Sequence, residues 1–272
     1  MKAARGIGIV SNDVSRALNR VWRVFASGFG FALFGAAGLV LSILVFPVLR
    51  LATRDTPAGR RRARETIAWT FRRFIGIMRL LGVYRYELVG FERLERNGLL
   101  IVANHPSLID TVFLLGFVPN STCVVDAGLF RNSFTAGALL AAGYIRNGAG
   151  SQVLADCVAS LDAGTNVLIF PEGTRTPRDG TIVLQRGAAN IAVRAGRDLT
   201  PVVIQCSPRM AMKGEPWWRV PERRAFFSIT VGNDICVGPY RAGADSPALA
   251  VRRLTAYVEQ YLITESATHA VS

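Results

Sequence analysis

Histidine is almost missing from this sequence: only His105 and His269 occur in 272 residues, so any step that needs an imidazole has two candidates. Cysteine is equally uninformative as a ligand or crosslink. Cys123, Cys157, Cys206 and Cys236 lie far apart, with no CxxC pair and no histidine beside them, which argues against a zinc site or a disulfide framework. Four buried free thiols in a reducing compartment are expected, with the folded domain facing the cytoplasm. Internal repeats and low-complexity tracts are absent too.

Acidic residues are scarce in one region only. Residues 1–85 hold fifteen basic and three acidic side chains, net +12, whereas residues 86–272 hold seventeen and sixteen, net +1. A nucleic-acid binder would carry its charge on the folded domain, and nucleic acid is not an expected partner. Here the excess flanks the most apolar part of the chain, as a protein on anionic membrane lipids requires.

Charge disappears altogether between Arg23 and Arg50. Val24 to Leu49 is an uncharged run of 26 residues, and a spanning helix needs about 20. Gly28, Gly30, Gly35, Gly38 and Pro47 also leave room for a kinked or re-entrant helix. A secretory signal is a poorer fit, because its apolar region runs to roughly 7–15 residues and no clear cleavage site precedes Arg50. Four arginines in residues 4–23 against six in residues 50–69 slightly favour a cytoplasmic C-terminal side at the inner membrane.

Arg61 to Leu81 follows as an expected amphipathic helix. Arg61, Glu65, Ala68, Arg72, Gly76 and Arg79 form its polar stripe; Ile67, Trp69, Phe71, Phe74, Ile75, Met78 and Leu81 cover most of the rest. Such a helix would lie at headgroup level with its arginines toward phosphates, or pack on the catalytic domain with them in water. The leader is therefore residues 1–83, with a catalytic domain over 84–263 and a flexible tail over 264–272.

From residue 84 the pattern alternates. Strands are expected at Arg85–Val89, Leu99–Ala103, Thr122–Val125, Val167–Phe170, Val202–Gln205 and Phe226–Val231. Helices are expected at Phe134–Ala142, Gln152–Leu161, Ala188–Ala195 and Pro247–Leu262. The order predicts an α/β fold, a mixed sheet covered by helices.

Two segments carry candidate chemistry. In Asn104-His105-Pro106-Ser107-Leu108-Ile109-Asp110, an apolar strand leads into a helix for which Pro106 suits the first position. On a regular helix, side chains five residues apart point roughly 140° away from each other, so His105 and Asp110 meet only if His105 sits in a bent cap. A paired Asp110 would fix the imidazole tautomer and stabilise the imidazolium, making His105 a general base toward a hydroxyl. A structural histidine–carboxylate hydrogen bond is the plainer alternative. The second segment, Phe170-Pro171-Glu172-Gly173-Thr174-Arg175, follows another apolar strand. Gly173 permits close backbone approach and Arg175 supplies a forked donor suited to phosphate.

Together these segments resemble the glycerolipid acyltransferase family, the 1-acylglycerol-3-phosphate and glycerol-3-phosphate acyltransferases. The family's first motif, a histidine and an aspartate separated by four residues, is matched by His105 and Asp110. Its third is matched by Phe170 to Arg175, about 65 residues on, and Thr200-Pro201-Val202-Val203-Ile204 resembles its fourth. The likeness is close from Leu99 to Ile204.

The resemblance implies that His105 removes the acceptor's hydroxyl proton while Asp110 orients it. It implies that Glu172, Gly173, Thr174 and Arg175 help bind a lysophospholipid acceptor through its phosphate. The acyl group would come from acyl-CoA or acyl-ACP (acyl carrier protein) as co-substrate, by direct transfer, with no bound cofactor and no metal. Phosphatidic acid made from lysophosphatidic acid is the implied product. In the second motif the sequence departs from the family: in Gly143-Tyr144-Ile145-Arg146-Asn147-Gly148 the arginine comes early, so Arg146 acts from a shifted position or the acceptor is another lyso-lipid.

Two further segments stand out. Residues 213–224 interleave Trp217 and Trp218 with basic residues, as a membrane-interface loop or as aromatic packing over a sheet edge would. Arg186 and Gly187 open a helix that could add an anion donor.

Overall fold

The computed structural model describes residues 4–53, 56–132, 134–148 and 150–268; His269 and the end of the expected tail lie outside them. The chain begins with one long apolar rod. Helix α1 (Ala4–Val40) passes through a π-helical turn at Leu41–Val45 into α2 (Phe46–Thr53). The wide turn is closed by Phe46 N–H on Leu41 O. Pro47 explains it, since a proline lacks an N–H and its ring crowds the carbonyl one turn earlier, which a π-turn relieves.

Within the rod, Leu18–Leu49 is long and apolar enough to cross a membrane. Its 32 residues would extend about 48 Å, more than the roughly 30 Å of a hydrocarbon core. Leu18, Trp22, Phe25, Phe29 and Val48 are exposed along it.

Helix α3 (Pro57–Leu80) starts four residues before the expected Arg61, because Thr56 caps it: Thr56 Oγ1 accepts Gly59 N–H at 3.2 Å and Pro57 takes the first turn. The polar stripe is not all in solvent. Ala68 is buried, Arg72 donates to Gly116 O at 2.7 Å, and Arg64 donates to Asn120 Oδ1 and Ala142 O, both at 2.9 Å. Those two arginines fasten α3 to the α/β part of the chain. Trp69, Leu80 and Arg73 remain outside, the last 5.3 Å above the Trp69 ring.

The sheet is built from β1 (Tyr84–Val89), β2 (Leu100–Ala103), β3 (Ser121–Val125), β4 (Ile145–Arg146), β5 (Asn166–Ile169), β6 (Leu199–Ser207) and β7 (Ala225–Val231). Its order is β1-β7-β6-β2-β5-β3-β4. Pairings are parallel except β6 with β7, so β1 and β7 run against the others and the expected mixed α/β sheet is what forms. β4 is the strand not anticipated; two residues are too few for a periodic signal.

Every residue of β2 and β5 is buried, as apolar strands covered on both faces must be. Successive side chains go to opposite faces. Ile101 and Ala103 join Phe113, Tyr84 and Phe227 under α3 and α4 (Asp110–Phe117). Leu100 and Val102 join the other layer, with α6 (Gly150–Asp162), α7 (Gly187–Ala195) and α9 (Pro247–Thr268). Short helices α5 (Ala136–Ala142) and α8 (Gly238–Ala242) complete the order. A fully buried phenylalanine such as Phe113 contributes about 1.5–3 kcal/mol.

α9 continues to Thr268, so the first residues of the expected tail are helical, held partly by Gln205 Nε2 on Ser266 O at 2.7 Å. Cys123, Cys157 and Cys206 are buried, but Cys236 is exposed beside Asp198, against the expectation of four buried thiols. Between α1, α3 and α5 lies an apolar cavity of about 230 Å³, lined by Phe34, Phe71, Phe74, Ala138 and Tyr144 among others.

Candidate active site

The central strand β2 delivers the first motif. At Ala103 the chain leaves the sheet, and buried Asn104 prolongs the pairing with β6: its Oδ1 accepts Ile204 N–H at 2.7 Å and its Nδ2 donates to Ile204 O at 2.8 Å. His105 precedes Pro106, a position that disfavours helical backbone. Accordingly α4 starts at Asp110, not at Pro106 as expected, and residues 107–109 form the intervening turn. Asp110 closes it, accepting Ser107 N–H on Oδ2 at 2.6 Å, in the manner of a capping box.

The same oxygen meets His105 Nδ1 at 3.0 Å. With Asp110 ionised, Nδ1 is the donor and Nε2 carries the lone pair, the arrangement of a general base. The His105 ring lies on Phe170, centroids 4.1 Å apart at 22°, and its side chain is 14% exposed. Asp110 is fully buried and its Oδ1 has no hydrogen-bond partner among the described residues. Burial holds its carboxyl above the usual aspartate range, and the bonds from His105 and Ser107 pull the other way.

The second motif leaves β5, the parallel neighbour of β2, so both loops emerge at one edge of the sheet. They are laced together. Glu172 Oε1 accepts His105 N–H at 2.8 Å and the Thr176 hydroxyl at 3.0 Å, while His105 O accepts Thr176 N–H at 2.8 Å. Glu172 is buried, which raises its carboxyl above the ordinary range. Glu172 is expected to help hold a phosphate, and in the structure its carboxyl faces the His105 backbone and ties the two loops together.

Gly173 and Thr174 are exposed at the tip of the turn, Gly173 with φ +69, where a side chain would strain the backbone. Arg175 is half-buried and gives Nη1 to Ala211 O and Met212 O, both at 3.0 Å. Its Nε and Nη2 make no hydrogen bond among the described residues. Its charge also favours ionised Asp110.

Arg146 is placed apart from this group. It is exposed on edge strand β4, with its guanidinium 4.6 Å above the Phe130 ring. Two strands, β5 and β3, separate β4 from β2, a span of about 14 Å. Arg186 is exposed just before α7, where Gln185 N–H bonds Pro171 O at 2.7 Å. Among the described residues no three histidine, cysteine, aspartate or glutamate side chains gather as a metal ion would need.

Asn104, Ser107, Phe170 and Thr176, for which the sequence predicts no role, also help position His105. An asparagine directly after an apolar strand was the available signal for the first.

Compared with known proteins, residues 85–205, from β1 into β6, match the family model described as Acyltransferase. That match covers less than half of the chain. The chain is 30% identical over 171 residues to the 1-acyl-sn-glycerol-3-phosphate acyltransferase of Pseudomonas aeruginosa, covering 60% of this chain and 62% of that one. It is 26% identical over 118 residues to the enzyme of the same name from Borreliella burgdorferi, covering 40% and 46%. It therefore spans less than two thirds of the length of these relatives. Among solved structures, the 1-acyl-sn-glycerophosphate acyltransferase from Thermotoga maritima shares the fold, with a TM-score of 0.67 at 20% identity over 94% of this chain and 98% of that one. That coverage takes in most of the leader as well as the α/β domain.

Proposed function

We propose that this protein is a membrane-associated O-acyltransferase that moves a fatty acyl group from acyl-CoA or acyl-ACP to the free hydroxyl of lysophosphatidic acid, giving phosphatidic acid for phospholipid synthesis. The observation that carries the reading is the His105 Nδ1 to Asp110 Oδ2 contact of 3.0 Å, in a loop stapled to the Phe170–Arg175 turn. The names of the relatives support the acceptor.

In the proposed step, His105 Nε2 takes the hydroxyl proton as the oxygen attacks the thioester carbonyl. The tetrahedral intermediate collapses with cleavage of the C–S bond, and the imidazolium returns its proton to the departing thiolate. Asp110 stabilises the imidazolium throughout. Among the described residues no cysteine or serine has a second histidine to activate it, which favours direct transfer. Arg175 Nε and Nη2, with the Gly173–Thr174 backbone, are the nearest donors for the acceptor's phosphate. The apolar cavity beside α3 offers a place for an acyl chain away from water. The apolar rod and its arginines suit anchorage in the inner membrane, with the site facing the cytoplasm and anionic lipids around it.

A second acceptor class is favoured by one observation: Arg146 stands over Phe130 on the far strand, away from His105. On this reading the mechanism is the same and the acceptor is another lyso-lipid. Mass spectrometry of products from a panel of lyso-lipids and acyl thioesters separates the two. Phosphatidic acid as the dominant product is expected; a panel in which lysophosphatidic acid is the poorest acceptor overturns the first reading.

A further inference from the structure

Residues 208–224 join β6 to β7 and belong to neither motif, yet they touch both motifs and the apolar leader. At the catalytic end, Ala211 O accepts Leu108 N–H at 3.1 Å and, with Met212 O, the Nη1 of Arg175 at 3.0 Å. Ala211 is held at φ 53, a left-handed conformation that a non-glycine residue adopts only when its surroundings impose it. Glu215, with a side chain 4% exposed, fixes Met212 N–H through Oε2 at 3.2 Å and faces Arg178 and Arg219 with its other oxygen.

At the leader end, Trp217 lies against α1. A Cβ at Gly28 would come within 2.8 Å of its ring, and the ring centroid is 6.4 Å from that of Phe31. This contact with α1 is where the aromatic loop goes. Arg23, a buried cation at the head of the uncharged run, gives Nη2 to Glu222 O at 2.6 Å and to Pro221 O at 3.1 Å. Arg224 fastens the far end with Nη2 on Arg79 O at 2.6 Å and Tyr84 O at 2.9 Å.

We propose that residues 208–224 are a strap through which Arg23, a positioning residue, holds the Leu108 turn and Arg175 in place, so that the seating of α1 sets the geometry of the transfer site. The physical basis is a short segment with a charged clamp at one end and two shared carbonyls at the other. If α1 shifts, the carbonyls of Ala211 and Met212 move with the strap, and an error of about 1 Å at a reacting group can lower turnover a hundredfold. The catalytic half of this inference rests on the acyl-transfer reading; the mechanical half does not.

The Leu108 amide, bonded to Ala211 O, reports the strap without any reaction. The full chain in phosphatidylglycerol-containing vesicles is compared as wild type, Arg23→Met, Arg23→Lys, Trp217→Ala and, as a surface control, Arg62→Gln. Arg23→Met is expected to speed hydrogen exchange at Leu108 about tenfold or more. It should also lower kcat roughly ten- to hundredfold and raise KM for the lyso-lipid acceptor, with KM for the acyl thioester unchanged, and Arg23→Lys should recover most of these losses. Trp217→Ala should act in the same direction without touching the cation. Wild-type exchange at Leu108 in folded Arg23→Met and Trp217→Ala overturns the strap. Faster exchange with wild-type kcat overturns the positioning role. If the wild type itself turns over no acyl thioester, the functional reading fails while the exchange data still decide the strap.

Discussion

The centre of the sheet edge and its flank at β4 are built on opposite plans. At the centre, His105 is held by its backbone N–H, its backbone carbonyl, Nδ1 and one ring face, all to groups that are themselves bonded or buried. On the flank, Arg146 is exposed on a two-residue strand with a ring contact to Phe130. The difference separates two tasks. A base must be placed to within a fraction of an ångström, whereas an arginine on a long stem can meet differently placed anions.

The sharpest way to test this contrast is at the centre. His105→Ala should lower kcat/KM by about 10²–10⁴, read from product formation, and residual turnover near wild type would remove the proposed base. Asp110→Asn should approach the same loss, because an amide can hold the ring in the wrong tautomer. Next in size, Glu172→Ala leaves the His105 N–H without its acceptor and should cost about 1–3 kcal/mol in denaturant unfolding, together with a clear fall in kcat. On the flank, Arg146→Ala should raise KM for the lyso-lipid less than about tenfold and leave kcat alone. A hundredfold loss there would break the contrast and place the acceptor's phosphate at β4.

The smallest expected effect concerns pH. Burial holds the Glu172 carboxyl above the ordinary glutamate value of 4.5, so its contribution to stability is complete below that value and is lost as pH rises through the raised one. Glu172→Gln still offers an oxygen to the His105 N–H and the Thr176 hydroxyl but has no charge to bury. Its Tm relative to wild type should therefore rise between acid and neutral pH. A difference independent of pH would mean that the carboxyl is not raised.

Much of this architecture was legible in the sequence for a definite reason. Strands β2 and β5 are buried on both faces and read as unbroken apolar runs, and the two motifs sit at the ends of those runs. The pairing of His105 with Asp110 was also legible, though the helix start was misplaced: Pro106 does not open α4, which begins at Asp110 after a turn that Asp110 closes by accepting the Ser107 N–H. What escaped notice depends on partners far along the chain. Arg64 and Arg72 look like lipid-facing charges until Asn120 and Gly116 are brought to them. The bond from the His105 amide to the Glu172 carboxyl is likewise absent from any local pattern. The strap was invisible for the same reason, since backbone carbonyls such as Ala211 O leave no mark on a sequence.

Asn104 has a consequence for how the molecule assembles. Its amide presents one acceptor and one donor to the two backbone groups of Ile204, so it fits opposite that residue and no neighbour one step away. A slip of β2 against β6 by a single residue would turn every side chain of β2 to the wrong face and also leave this buried amide unmatched. The amide thus acts as a proofreading mark on strand register, placed next to the histidine whose position most depends on it. A chain that closes its sheet out of step is penalised where the chemistry would otherwise fail unnoticed.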